Sequence, residues 1–176
     1  MNWKNEPAAW EKDGAAFAIT ADHATDAWRE PKEGGIRNNP HFYGKPVSGD
    51  FSAVVTFSGN YSAQFDQAGL MVHIDELNWM KCGIEYVDGI QKASAVVTRG
   101  WSDWSVVPLP NPPEVTFKVE RKGAMVFVYY SFEEGSFIML RKAYLTDADT
   151  LEVGIMAASP TGEGFTAVLK DFTVIQ

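Results

Sequence analysis

The chain has 176 residues, 45% hydrophobic and 22% charged, proportions that suit one soluble globular domain with a substantial core. Its 23 acidic against 15 basic residues give a formal charge of −8, which repels phosphate backbones and anionic lipid, so neither nucleic acid nor membrane is an expected partner. Cys82 is the single cysteine, which excludes an intramolecular disulfide and a cysteine-based zinc site and fits a reducing compartment.

The first residues, from Met1 to Gly14, carry no apolar stretch of signal-peptide length, and no later stretch is apolar for long enough to form a spanning helix. A cytoplasmic location is therefore expected. In that context the sequon Asn60-Tyr61-Ser62 reads as a chance match.

Along the chain, short runs rich in Val, Ile, Phe, Tyr and Thr alternate with Gly, Pro, Asn and Asp, the rhythm of strands and turns. The first strand is expected near 15–20. Residues 21–49 read as an irregular segment, with Trp28, Pro31, Gly34, Gly35, Pro40, Phe42, Tyr43, Gly44, Pro46 and Gly49. A connection this long is often functional. Strands follow near 50–58, 66–74, 78–87 and 90–99. Residues 99–113, with Trp101, Trp104 and four prolines, break the rhythm again. Strands near 114–121, 124–131, 136–142, 150–158 and 165–175 complete the pattern. Ten strands are too many for a flat open sheet, so residues 1–176 are read as one all-β domain, an antiparallel two-sheet β-sandwich.

The dipeptide Asp88-Gly89 sets the register of the central hairpin, because both residues tolerate positive φ. Val87 then faces Ile90, Glu85 faces Lys92, Gly83 faces Ser94, Lys81 faces Val96 and Trp79 faces Thr98. Met80, Cys82 and Ile84 lie on the other, apolar face with Ala93, Ala95 and Val97, which assigns that face to the core. The preceding strand contributes Leu70 and Val72 to the core and sets Gln67, Met71 and His73 beside Trp79, Lys81 and Glu85. A second hairpin, turning at Lys122-Gly123, is expected to pair Val119 with Val126 and Phe117 with Val128. Lys118, Glu120, Phe127 and Tyr129 then lie on its outer face.

Several separated motifs occur in a distinctive order. They are Thr25-Asp26-Ala27-Trp28, then Asp66 to Met71, Asn78 to Glu85, Ser94 to Thr98, Ser102-Asp103-Trp104-Ser105, Arg121, and Gly154 to Pro160. Together they resemble the DUF1349 family, a group of concanavalin A-like jelly-roll domains, from about Trp28 to Phe172. The resemblance implies a jelly-roll fold of the kind that binds or cleaves glycans. It also implies a possible protein partner, since a yeast member is named as a regulator of enolase. The positions it carries over are Asp66, Gln67, Trp79, Lys81, Glu85, Ser94, Asp103 and Trp104.

These residues define the expected site. Trp79 would offer an apolar platform for a sugar ring, with Gln67, Lys81, Glu85 and Ser94 supplying directional hydrogen bonds on a concave face. Asp103 and Trp104 would stand at the rim of that face. The alternative is structural. Glu85 and Lys92 would form a cross-strand pair, Trp79 would pack under a loop, and Asp66 would cap a turn. Trp28, Phe42 and Tyr43 would either cover the site or pin their own segment.

Three function classes follow: a module that binds a carbohydrate or another small polar ligand, a glycoside hydrolase or lyase, and a cytoplasmic protein-interaction or regulatory domain. Hydrolysis calls for two carboxyl groups, ~5–5.5 Å apart for retention or ~6.5–9.5 Å for inversion. Glu85 would need Asp66 or Asp103 as a cross-strand partner. His23, His41 and His73 share no ligand spacing, so no metal is expected, and no phosphate loop points to a cofactor.

Overall fold

A computed structural model describes residues 1–32, 35–133 and 135–176. Two seven-stranded antiparallel sheets face each other across one apolar core. The first sheet contains β1 (Asn2–Lys4), β6 (His41–Ser48), β8 (Gln67–His73), β9 (Asn78–Val87), β10 (Ile90–Arg99), β11 (Trp101–Pro108) and β15 (Thr150–Ala158). Their spatial order is β1-β6-β15-β8-β9-β10-β11. The second contains β2 (Ala9–Asp13), β3 (Ala16–Ala21), β7 (Phe51–Gly59), β12 (Val115–Lys122), β13 (Met125–Ser131), β14 (Ile138–Tyr144) and β16 (Phe165–Ile175). These run in the order β14-β13-β12-β7-β16-β3-β2. A short ribbon of β4 (Ala27–Arg29) and β5 (Ile36–Asn38) belongs to neither sheet. The architecture is the expected all-β sandwich of jelly-roll type.

The ten expected strands all form, and the central hairpin has the expected register, from Val87 opposite Ile90 to Trp79 opposite Thr98. Asp88 and Gly89 both take positive φ, 56° and 78°, which matches the twist of the flanking strands. Strand β8 sets Gln67 against Glu85, Met71 against Lys81 and His73 against Trp79. Leu70, Val72, Met80, Ile84, Val97, Phe117 and Val119 are all buried in the core.

Three readings need correction. The β12–β13 hairpin turns on Gly123-Ala124, not Lys122-Gly123, so Val119 pairs with Val128 and Phe117 with Tyr130. Glycine in the first central position, at φ 59°, sets this turn. The error is two residues, one full strand period, so every side chain keeps its face. The segment 21–49 is less irregular than its prolines suggest, because β6 and the ribbon lie inside it; Gly34 is outside the described residues. Pro46 is tolerated in β6 because β1 reaches only as far as Gly44, and a missing N–H beyond that point breaks no ladder bond on the open side. Residues 101–108, finally, form an edge strand, where an end at Pro108 is tolerated.

Candidate functional site

The outer face of the first sheet holds Gln67, Lys81, Glu85 and Ser94. Its middle is covered. Trp79 packs with Ala27, Phe42, Met71, Val96 and Met156 in a second apolar cluster, against which Trp28 leans. Trp79 is 1% exposed. It therefore offers no platform to a ligand, a correction to the expected site, and its placement matches the structural alternative. Alternation explains Phe42 and Tyr43: Phe42 joins this outer cluster, while Tyr43 points inward against Trp3 and Phe17.

Beside that cluster lies a recess of about 340 Å³, within the size range of small-ligand sites. Lys81 and Glu85 of β9 form part of its lining, and Trp104 of β11 forms one wall. The ribbon and its flanks supply Asp26, Trp28, Glu30 and Arg37. Phe65, Pro160 and Thr161 come from the turns before β8 and after β15. Trp104, at 39% exposure, is the accessible indole. Trp28 and Phe65 each meet it edge-on with centroids 6.4 Å apart.

Lys81 Nζ donates to Asp26 Oδ1 at 2.8 Å, and both side chains are largely buried. Asp26 Oδ1 also accepts from Gln67 Nε2 at 3.3 Å and from the Ala27 amide at 2.7 Å. Glu85 Oε2 accepts from Ser94 Oγ at 2.7 Å and from Trp104 Nε1 at 2.8 Å. Lys92, opposite Glu85 in the register, turns instead to Asp88 at 3.6 Å. Beneath the recess lies a niche of about 10 Å³ lined by Gln67, Lys81, Gly83, Glu85, Ser94 and Met156, the scale of one water. Glycine is required at its base: a Cβ on Gly83 would lie 1.9 Å from the Ala68 carbonyl oxygen.

Asp66 has the turn-capping role and takes no part in the lining. It is fully buried. Its Oδ2 accepts the Ser62 and Ala63 amides at 2.9 Å each, and its Oδ1 accepts Ser159 Oγ at 2.6 Å. The Ser159 amide donates to Thr25 Oγ1 at 2.9 Å, so three loops that bound the recess share one buried knot. The knot holds Phe65 at φ 70°, a strained conformation for a bulky residue, with its ring at the recess.

Asp103 lies on the opposite face from Trp104, because adjacent strand residues alternate. It pairs with Arg141 of β14 at 2.8 Å, and Arg141 also donates to Ser105 Oγ at 3.0 Å, clipping the two edge strands together. Glu85 thus has neither expected cross-strand carboxylate beside it in the recess. Among the described residues no group of three or more His, Cys, Asp or Glu side chains is placed to hold a metal.

The structure therefore brings Lys81, Glu85 and Trp104 to the recess, with Gln67 and Ser94 below them. Sequence reasoning missed Asp26, Glu30, Arg37, Phe65 and Thr161 as lining residues. Thr25-Asp26-Ala27-Trp28 and the run ending at Pro160 were the available signals for two of the loops.

The family model of proteins of unknown function, DUF1349, matches residues 3–176. The chain belongs to the DUF1349 family. A Saccharomyces cerevisiae relative called Regulation of enolase protein 1 is 31% identical over 173 residues, spanning 98% of this chain and 87% of that one. The crystal structure of a functionally unknown protein from Saccharomyces cerevisiae superposes with a TM-score of 0.94 at 31% identity, covering 99% of this chain and 95% of that one. More distant structures share this DUF1349 fold. A GH43 protein from Bacillus licheniformis gives a TM-score of 0.76 at 20% identity over 96% of this chain, which spans only 35% of that one. The carbohydrate binding module CBM66 from Bacillus subtilis gives 0.63 at 12% identity, over 99% and 95% of the two chains.

Proposed function

We propose that this DUF1349 protein binds a sugar or a comparable small polyhydroxylated ligand in the recess between the first sheet and the β4–β5 ribbon. One observation carries the reading. Three aromatic rings wall a cavity lined by carboxylates whose oxygens are only partly engaged. Glu85 Oε1 and Asp26 Oδ2 accept no hydrogen bond among the described residues. Sugars present apolar ring faces to aromatic side chains and hydroxyl donors to such oxygens. The structural kinship with a carbohydrate binding module supports the fold's suitability for this role, though at 12% identity it speaks to fold alone.

A glycan array read beside thermal unfolding tests the reading. Wild type should retain a glycan that Trp104→Ala loses while the variant stays folded. No glycan bound by wild type would sink it. A protein partner would then be the better reading, supported by the yeast relative's name and by Trp101, half exposed on the edge strand β11.

A further inference from the structure

Glu85 is 7% exposed and belongs to no ion pair among the described residues. Its two hydrogen-bond donors are neutral, a serine hydroxyl and an indole, and both act on Oε2. A carboxylate withdrawn from water without a cation is costly, and among the described residues no Lys, Arg or His lies within ion-pair distance of Glu85. Lys81 is committed to Asp26, and Lys92 is committed to Asp88. Arg37, the remaining cation of the lining, donates to the Ala24 carbonyl oxygen at 3.5 Å and joins no ion pair among the described residues.

The second carboxylate on this side repeats the pattern. Trp28 Nε1 donates to Glu30 Oε2 at 3.2 Å, as Trp104 Nε1 does to Glu85. Each indole thus directs its N–H at a carboxylate. The lining as a whole has three carboxylates against two cations. Aromatic faces combined with an uncompensated carboxylate attract a compact cation by charge and by the ring quadrupole together.

Resting on the sugar-site reading of this recess, we propose that its preferred ligand carries an amine, which makes amino sugars the class that fits. The ammonium bonds to Glu85 Oε1 beside Trp104, and the remaining hydroxyls bond to Asp26 Oδ2 and Glu30. Acetylation of the amine removes the charge and the preference.

Isothermal titration with glucosamine, galactosamine and mannosamine, each beside its neutral parent and its N-acetyl form, tests this at neutral pH and low salt. At least one amino sugar should bind about tenfold or more tightly than both of its neutral forms. That preference should shrink as salt is raised and should vanish in Glu85→Gln. Trp104→Phe, which keeps a ring but loses the N–H, should retain a preference for the cation. Equal binding of charged and neutral sugars, or binding insensitive to Glu85→Gln, overturns the amine inference and leaves the sugar site standing. Binding of none of the nine sugars by the folded protein overturns the amine inference, and the sugar site falls with it only where the glycan array also finds no ligand.

Discussion

Lys92 stands directly opposite Glu85 across the β9–β10 ladder, yet its ammonium pairs with Asp88 and leaves Glu85 to neutral donors. A cross-strand Glu–Lys pair would have closed the outer face as an ordinary solvated surface. Its absence keeps Glu85 available to the recess, and the roles of the neighbouring residues follow from their positions around it.

Trp79 and Trp104 should separate stability from binding. Trp79→Ala removes a fully buried indole and should cost ~3–5 kcal/mol. Trp104→Ala removes an accessible wall and should cost less in stability and more in binding. Urea denaturation of both variants, beside sugar titration, checks the division. Comparable destabilisation by the two substitutions would contradict it.

The Lys81–Asp26 pair should behave as a buried ion pair. Lys81→Met alone leaves the Asp26 carboxylate uncompensated and should cost ~3–5 kcal/mol, and Asp26→Leu should do the same to Lys81. The double variant should recover much of that loss. A double-mutant cycle measures the coupling, and additive losses would show that the 2.8 Å contact carries none.

Asp66→Ala orphans two part-buried amides and the buried Ser159 hydroxyl, and the hydroxyl alone should cost ~1–3 kcal/mol. The first effect should appear as faster hydrogen exchange at Ser62 and Ala63, ahead of the core strands. Weaker ligand binding should accompany it, because the same turn presents Phe65. Unchanged exchange at those amides would show that the turn stands without its cap.

His73 should make stability depend on pH. Burial first, and the Lys4 ammonium second, hold its imidazole below the usual value, with Glu152 and Asp75 opposing. As pH falls through the ordinary histidine range, the unfolded chain takes up a proton before the folded one. Stability therefore falls with falling pH from the unfolded value, near 6.5, down to the lower folded value. Thermal midpoints of His73→Gln should show a shallower decline than wild type across that window. Identical profiles would mean the imidazole titrates alike in both states.

The parts of this fold legible in the sequence are those encoded by local rules. Asp88-Gly89 specifies its own turn, and ten residues of alternation on either side then fix both faces. The β6 strand was hidden because Gly44 and Pro46 look like breakers unless the early end of β1 is known. Lys81 and Glu85 were legible as a polar row, but their partners were not. Asp26 reaches Lys81 across 55 residues, and nothing in local spacing encodes such a contact. Adjacency in sequence suggests Asp103 beside Trp104 at one rim. Once residues 101–108 form a strand, adjacency means opposite faces.

The β4–β5 ribbon has a consequence for how such a site can diversify. The floor of the recess is anchored in a seven-stranded sheet, whereas Trp28, Glu30 and Arg37 belong to a ribbon outside both sheets or its flank. Arg29 fastens that ribbon through its amide to Ser102 Oγ and through its guanidinium to the Gly100 carbonyl. Length and composition can change beyond that anchor without disturbing the packing of the sandwich. Ligand preference can therefore drift by exchange of a short insert, while the scaffold beneath it keeps its sequence.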